Sequence, residues 1–485
     1  RSHIFVVDIA SGDTTQLTRG DFDCTEPAWS PDGESIAFVS DRRRKRHDEF
    51  FRGDLYVVPA RGGRARKLTA GLERATAPSF SPDGRRIAVL GSRSGGKFWS
   101  THPRVLVADV GTGDVVELGQ TIDRPTVGSR YGGCQLAWLD DDTVLTTFNE
   151  RGSVVLARVS TDPGAPAETL LDGDRLVVAF DVRDGVLAWV EFWLDRLPEL
   201  QRARIPARGR IRRSTAVTAV NGALSAQLDL RPATRHTHLA ADGVEIESFV
   251  IEGRGRGRRP GVIDVHGGPI GSHPQHTPRV VLLYQVLAGA GYTVILPNPR
   301  GSTGYGQEFI QAVIGDLAGA DYDDIVGAAD AAIERSQVRP DDLHIMGYSY
   351  GGYISAWAIG HTNRFRSAVI GAPVTDFVSM VGSSDLTEFS VAMFDGTPGE
   401  RAELFRNRSP ISNSHRATTP SFIFVQEGDL RCPPSQAEQL YTMLRLHGCQ
   451  VEFARYPGGS HTQATPSQLV DITERSLAWI DHHRP

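Results

Sequence analysis

Gly347-Tyr348-Ser349-Tyr350-Gly351-Gly352 follows the short apolar run Leu343-His344-Ile345-Met346 and precedes Tyr353-Ile354-Ser355-Ala356-Trp357-Ala358-Ile359, a stretch of small and apolar residues. This order reads as a buried strand, a sharp turn carrying a serine, and a helix packed against a sheet. A serine on such a turn takes strained backbone angles, so the positions around it must be nearly free of side chain. Gly347, Gly351 and Gly352 meet that demand and make Ser349 the candidate nucleophile. With 51 glycines in 485 residues, a bare G-x-S-x-G arises by chance in roughly a third of such chains. The pattern gains weight only from its surroundings.

From about Ala226 onward, strand-like runs alternate with helical ones, the signature of an α/β domain. Strands are expected near 261–265, 293–296, 343–346, 368–371, 422–425 and 452–456, and helices near 280–290, 322–335, 353–360, 434–447 and 466–482. Such a sheet carries its catalytic loops at the carboxyl ends of the strands. His461 follows the last strand through a glycine-containing loop and is the candidate base. Asp429 follows the penultimate strand and is the preferred acid, with Asp376, after the preceding strand, as its rival. A serine hydroxyl is a poor nucleophile at neutral pH. His461 is needed to accept its proton, and the aspartate to hold the imidazole tautomer and stabilise the imidazolium. His266-Gly267-Gly268-Pro269 ends the first core strand, where side-chain-free residues let backbone N–H groups approach a reacting carbonyl. The N–H groups of Gly268 and Tyr350 are the candidate oxyanion donors, with an ordinary tight turn as the plain alternative for the first.

The first half is repetitive. Trp29-Ser30-Pro31-Asp32-Gly33 followed by Ile36-Ala37-Phe38-Val39 recurs 51 residues on as Phe80-Ser81-Pro82-Asp83-Gly84 followed by Ile87-Ala88-Val89-Leu90. Asp54-Leu55-Tyr56-Val57-Val58 and Lys67-Leu68-Thr69 likewise echo His3-Ile4-Phe5-Val6-Val7 and Gln16-Leu17-Thr18. Each unit is a four-strand meander with a Pro-Asp-Gly hairpin turn, the mark of a propeller blade. Weaker copies start at Leu136 and Phe180. The expected architecture is a partial β-propeller over 1–225, about four blades plus the edge of another, followed by an α/β-hydrolase domain over 226–485. Closed propellers usually have more blades, so upstream blades are expected to be missing, and the chain opens directly on a strand-like run at Ile4.

Composition narrows the classes of function. Hydrophobic content of 40% and charged content of 23% are ordinary for a globular chain, and no apolar run approaches a membrane span. The formal charge of -6 suggests no nucleic-acid partner. The basic run Arg42-Arg43-Arg44-Lys45-Arg46 reads as a solvated loop, because Asp48 and Glu49 follow it without an aromatic platform. Arg254 to Arg259, broken by glycines, reads as a surface turn. Cys24, Cys134, Cys432 and Cys449 show neither metal-ligand nor redox spacing, so reduced, buried thiols are expected. No metal or cofactor is called for, and a cytoplasmic location is expected.

The motifs His266-Gly267-Gly268-Pro269, Asn298-Pro299-Arg300-Gly301-Ser302-Thr303-Gly304-Tyr305-Gly306, Gly347 to Tyr353, Asp429-Leu430-Arg431-Cys432-Pro433 and Gly459-Ser460-His461 resemble those of the prolyl oligopeptidase family of serine peptidases. The branch they resemble is that of acylaminoacyl-peptidase and dipeptidyl-aminopeptidase-like members. The Ser-Pro-Asp-Gly units resemble the blades of TolB-type and prolyl-oligopeptidase-type propellers. The resemblance implies peptidase activity on short peptides, with a propeller capping the site. One departure is Gly428, which stands immediately before Asp429 where many relatives have a glycine three residues before it. Arg300 and Tyr305 are family-like, but an arginine organising a turn serves equally well, and neither is assigned to catalysis. Phe377, Phe389, Met393 and Phe394 are candidate lining for an apolar primary pocket, with core packing as the equal alternative. Acyl-peptide removal, dipeptide removal and internal cleavage stay open, as does homo-oligomerisation. The competing readings are a carboxylesterase using the same triad and a TolB-like binding propeller fused to an inert hydrolase fold.

Overall fold

The computed structural model describes residues 1–42, 53–94, 98–126, 136–274, 278–335, 337–462 and 464–485. The basic run beyond Arg42 and Cys134 lie outside the described residues. The chain divides into two compact units. The first comprises Arg1–Trp193, Leu197–Ala223 and Gly304–Gln307, and the second Leu194–Arg196, Leu224–Thr303 and Glu308–Pro485. Among the described residues, no helix is long and apolar enough to cross a membrane.

The first unit is built from antiparallel meanders. A two-strand edge, Phe5–Val7 with Thr14–Gln16, precedes a four-strand sheet over Cys24–Lys67 and a second over Glu73–Leu118. Two further meanders, Leu136–Leu171 and Leu176–Ala216, share one sheet through a short parallel pairing of Val154 with Leu176. The 51-residue repeat is reproduced bond for bond. In the first turn Ser30 Oγ donates to Asp32 Oδ1 at 2.6 Å, which also accepts from Glu34 N–H at 3.0 Å, and Ser30 Oγ accepts from Ser35 N–H at 2.9 Å. In the second, Ser81, Asp83, Arg85 and Arg86 make the same bonds at 2.5, 3.0 and 3.0 Å. Gly33 and Gly84 take φ of 74° and 71°, a left-handed conformation that side chains resist, and so close both hairpins. The echo between Thr18 and Thr69 has the same cause: each hydroxyl accepts, at 2.9 Å, a backbone N–H at the start of a blade strand, that of Ile4 just before Phe5–Val7 or that of Leu55 in Asp54–Pro59. Arg42, at the start of the basic run, lies with its guanidinium 4.2 Å from the Phe22 ring centroid and 4.3 Å from that of Tyr56. Its charge packs on its own blade.

The second unit is an eight-strand sheet in the order Ala233–Leu239, Glu245–Ile251, Thr293–Asn298, Arg259–Val265, Val338–Tyr348, Ala368–Gly371, Ser421–Gln426 and Val451–Tyr456. From Arg259–Val265 and Thr293–Asn298 onward neighbouring strands are parallel, while the first two strands run antiparallel. Those first two strands were not read from the sequence. Both precede the βα alternation, so no crossover helix marks them. The helices Pro278–Gly289, Ala320–Glu334, Tyr350–His361, Pro434–Leu446 and Pro466–His482 connect or flank the strands. Arg254, Arg256 and Arg258 lie exposed in the turn before Arg259–Val265. Thr293–Asn298 and Ser421–Gln426 are buried along their whole length, as strands covered on both faces must be. Tyr350–His361 is buried at every position from Tyr350 to Gly360, which explains why this helix has small and apolar residues all round instead of on one stripe. Six parallel strands thus deliver loops to one edge of the sheet, beginning at His266, Pro299, Ser349, Ala372, Glu427 and Pro457.

Candidate active site

Ser349 sits where Val338–Tyr348 turns into Tyr350–His361, with φ 63° and ψ −119°, a strained conformation for a residue with a side chain. The strain is held by close approach on every side. A Cβ at Gly347 would stand 2.5 Å from the Gly351 carbonyl, one at Gly351 would stand 1.9 Å from the Val265 oxygen, and one at Gly352 would stand 2.3 Å from the Gly371 oxygen. The two neighbouring strands therefore meet the turn through bare backbone, and the strand and helix either side of Ser349 meet each other the same way. Ser349 N–H donates to Gly371 O at 2.9 Å and ties the elbow to the next strand.

The structure brings Ser349, His461 and Asp429 together. His461 Nε2 lies 2.9 Å from Ser349 Oγ, and its Nδ1 lies 2.7 Å from Asp429 Oδ2. An ionised carboxylate only accepts, so Nδ1 carries the proton and Nε2 is left to accept from the serine. Asp429 is 1% exposed, and its other oxygen accepts from the N–H groups of Arg431 at 2.9 Å and Cys432 at 2.8 Å. These bonds satisfy a buried carboxylate and fix its orientation toward the imidazole. The rival, Asp376, is engaged elsewhere: it caps the helix Phe377–Ser383, accepting from Val378 N–H at 3.1 Å and Ser379 N–H at 3.3 Å.

Gly428 has a structural cause. A Cβ there would stand 2.1 Å from the Gly459 oxygen, so the glycine directly before Asp429 is what lets the acid loop and the histidine loop pass in contact. Tyr348 also holds the histidine loop, its hydroxyl donating to His461 O at 2.9 Å and its ring centroid 5.1 Å from the imidazole's. Neither role was legible in the sequence, because both depend on which loops meet across the sheet edge. Cys432 is buried with the Ser349 hydroxyl as a hydrogen-bonding neighbour. Burial, then the charge of Asp429, push its thiol well above the usual range, so it is a neutral thiol and no rival nucleophile.

The oxyanion candidates lie against the nucleophile. A Cβ on Gly267 would stand 3.5 Å from Ser349 Cβ, which places the His266–Pro269 turn directly on the elbow. Gly268 takes φ 140°, open only to glycine, and a Cβ there would stand 2.5 Å from Ile270 N. Among the described residues, neither the Gly268 N–H nor the Tyr350 N–H donates to another protein group. The turn is anchored by His266, whose Nε2 lies 2.9 Å from Ser302 Oγ and whose Nδ1 lies 2.9 Å from Gly267 O. Burial pushes the His266 imidazole down to about 4, so it is neutral.

Of the proposed pocket residues, Phe377, Met393 and Phe394 are 4%, 1% and 1% exposed. Phe377 packs on Tyr353 and Phe394, with ring centroids 5.1 and 4.7 Å apart, and Phe394 stacks on Phe405 at 4.0 Å. That is the packing of an aromatic core, which favours the alternative reading for these three. Phe389 is half-buried. Arg300 organises its turn: Nε and Nη2 donate to the two carboxylate oxygens of buried Asp324 at 2.9 and 2.7 Å, and Arg300 N–H to one of them at 2.9 Å.

A nucleophile elbow at the end of a central parallel strand, with base and acid on the loops after the last two strands, defines an α/β-hydrolase with a Ser-His-Asp constellation. Residues 279–484 match the prolyl oligopeptidase family, and residues 1–193 match the N-terminal β-propeller domain of acylaminoacyl-peptidase. The two matches bear out the resemblance of the motifs: the hydrolase fold matches the prolyl oligopeptidase family, and the propeller that precedes it in sequence matches the acylaminoacyl-peptidase type. An uncharacterized peptidase of Bacillus subtilis is 36% identical over 250 residues, 50% of this chain and 38% of the relative. Dipeptidyl-peptidase 5 of Porphyromonas gingivalis is 24% identical over 94% of this chain and 66% of its own length, so the chain spans less than two thirds of both relatives. The fold of the Pyrococcus horikoshii acylaminoacyl peptidase superposes with a TM-score of 0.82 at 22% identity, covering 99% of this chain and 73% of that one.

Proposed function

We propose that the chain is a serine peptidase of acylaminoacyl-peptidase type that hydrolyses short peptides through an acyl-enzyme. The observation that carries this reading is the continuous hydrogen-bonded chain Asp429–His461–Ser349 beside two unclaimed backbone donors. Ser349 Oγ attacks the scissile carbonyl carbon as His461 Nε2 takes its proton, and Asp429 stabilises the imidazolium. The carbonyl oxygen, now negative, accepts from the N–H groups of Gly268 and Tyr350. His461 then returns the proton to the leaving amine. In the second half a water attacks the acyl-serine, again losing its proton to His461, and Ser349 leaves as the free hydroxyl. Phe389 is the remaining candidate among the four aromatic and methionine residues for contact with a substrate side chain. A cytoplasmic location belongs to the same reading, supported by the free, buried thiols of Cys24, Cys432 and Cys449.

The test is labelling with a fluorophosphonate, located by mass spectrometry, followed by a panel of N-acylated, free-amine and internally quenched peptides. Labelling at Ser349 with preferred release of acylated residues is expected. Labelling with turnover of small esters and of no peptide would make the chain a carboxylesterase, and no labelling at Ser349 would make the hydrolase fold inert.

A further inference from the structure

Tyr350 supplies one proposed oxyanion donor with its backbone, and its side chain is held from an element that carries no catalytic group. The Tyr350 hydroxyl donates to Asp321 Oδ2, in the first turn of Ala320–Glu334. Both residues are buried, at 5% and 1% exposure. The same carboxylate oxygen accepts from Ala318 N–H at 3.1 Å, while Oδ1 is buried without a hydrogen-bond partner. Among the described residues no basic side chain pairs with Asp321. An acid buried in this way is costly to keep, and burial pushes its carboxyl up to about 6. Core packing gives no reason for it, since a Phe and an aliphatic residue would fill the same space without a half-satisfied carboxyl.

Geometry supplies a reason. Tyr350 follows the strained Ser349, and its N–H must keep its direction while that strain pulls on the same peptide. The phenol is rigid from Cβ to hydroxyl and turns only about the Cα–Cβ and Cβ–Cγ bonds, so fixing its far end restricts the backbone rotation that would swing the N–H away from the reacting oxygen. We propose that Asp321 is a positioning residue for the oxyanion hole, acting through the Tyr350 hydroxyl on the direction of the Tyr350 N–H. This rests on the serine-hydrolase reading above, but it concerns preorganisation and not substrate choice.

The experiment compares Tyr350→Phe, Asp321→Ala, Asp321→Asn and the double variant Tyr350→Phe/Asp321→Ala in the full chain. It measures kcat and KM on the peptide or ester the wild type turns over, the rate of Ser349 labelling by a fluorophosphonate, and Tm. Phosphonylation also places negative charge on an oxygen in the hole, so it reads the donors even if no peptide is cleaved. Tyr350→Phe and Asp321→Ala should each lower kcat and labelling roughly tenfold with KM within about twofold, a fraction of what losing a whole donor costs. The double variant should be no slower than either single one, and Asp321→Asn, whose amide oxygen still accepts from the phenol, should recover most of the rate. Lower Tm with kcat and labelling unchanged would overturn the proposal and leave a purely structural bond. Multiplicative losses in the double variant would overturn it as well. A wild type that cleaves no peptide but labels at Ser349 would count against the peptidase reading alone, and one that does not label would sink both.

Discussion

The two units solve the same problem, holding a polar turn in a fixed shape, at opposite ranges along the chain. In the first unit Ser30 and Asp32, or Ser81 and Asp83, bond across two residues, and each turn closes itself. In the second, Ser349 meets His461 across 112 residues and Asp429 meets His461 across 32, so no part of the site exists until the sheet is assembled. A local turn can be copied, and the first unit copies it at a fixed period. The site cannot be copied piecemeal, and its residues are set by bare backbone approaches between loops. Damage in the first unit should therefore stay local and small. In the second it should be large and shared.

The largest effect tests that sharing. Ser349→Ala and His461→Ala should each lower turnover by roughly a million-fold with the fold intact, and the double variant should be no slower than either. Steady-state kinetics beside circular dichroism would check this, and multiplicative losses would mean that the two residues do not act as one unit. Asp429→Asn should cost roughly ten-thousand-fold, while Asp376→Asn should leave kcat close to wild type because its carboxylate caps a helix. The reverse ranking would move the acid to Asp376.

Legibility followed the same division. The Ser-Pro-Asp-Gly turns declare their own geometry, so the repeat was readable from spacing alone. The nucleophile, base and acid were readable because strand order constrains where they stand, each after a recognisable apolar run. Gly428 and Tyr348 were not, because their partners, Gly459 and the His461 carbonyl, lie on a loop that approaches only in the folded sheet. The strands Ala233–Leu239 and Glu245–Ile251 escaped for a related reason. They pair with each other as a hairpin, with no helix between them to mark either as a strand of the alternating part. The pocket assignment at Phe377, Met393 and Phe394 had no such constraint, since an apolar residue reads alike in a pocket and in a core.

Glycine replacements sharpen the contrast next. Gly33→Ala adds a Cβ with nothing within 4 Å and meets only its unfavourable φ of 74°, so about 1 kcal/mol of stability should be lost. Gly351→Ala would place a Cβ 1.9 Å from the Val265 oxygen, which forces the elbow and the neighbouring strand apart. A loss on the order of 3 kcal/mol or more is expected, with activity gone even in the molecules that remain folded. Denaturant unfolding monitored beside activity separates the two, and equal costs would mean that the sheet edge gives as easily as a hairpin tip.

Acid should find one exception to local robustness in the first unit. His102 is 1% exposed, neither of its ring nitrogens makes a hydrogen bond, and Asp123 Oδ1 stands 3.4 Å away. Burial first, then Arg104, lower its imidazole to about 4 against an opposing pull from Asp123. The unfolded chain therefore takes up a proton below about 6.5 that the folded chain refuses until about 4, and stability falls as pH drops through that window. The loss is at most about 3 kcal/mol. His102→Asn should flatten the fall between those two pH values, as read from Tm at a series of pH values. An unchanged slope would show that the folded chain protonates His102 without penalty.

The smallest expected effect asks whether the copied turns are energetically as local as they look. In both, the serine hydroxyl first and a backbone N–H second hold the aspartate below its usual range, so the stabilisation is present above about pH 4 and fades as the carboxyl is protonated. Both aspartates are exposed, and solvent screening keeps the contribution small. Asp32→Ala and Asp83→Ala should each lower Tm slightly and speed amide exchange only within their own hairpin. The surroundings of the two turns differ in one respect. Asp83 N–H donates to Asp141 Oδ1 at 2.9 Å, and the Arg86 guanidinium lies 5.5 Å from the Trp138 ring centroid, contacts that reach the following blade. Asp83→Ala leaves that N–H in place but frees the loop that presents it. If the two variants behave alike, the turn is a self-contained device, and the repeat is local in energy as well as in sequence. A larger loss at Asp83, with exchange quickening around Asp141, would mean that neighbouring blades share the stability of the turn, and the contrast between the two units would be one of degree.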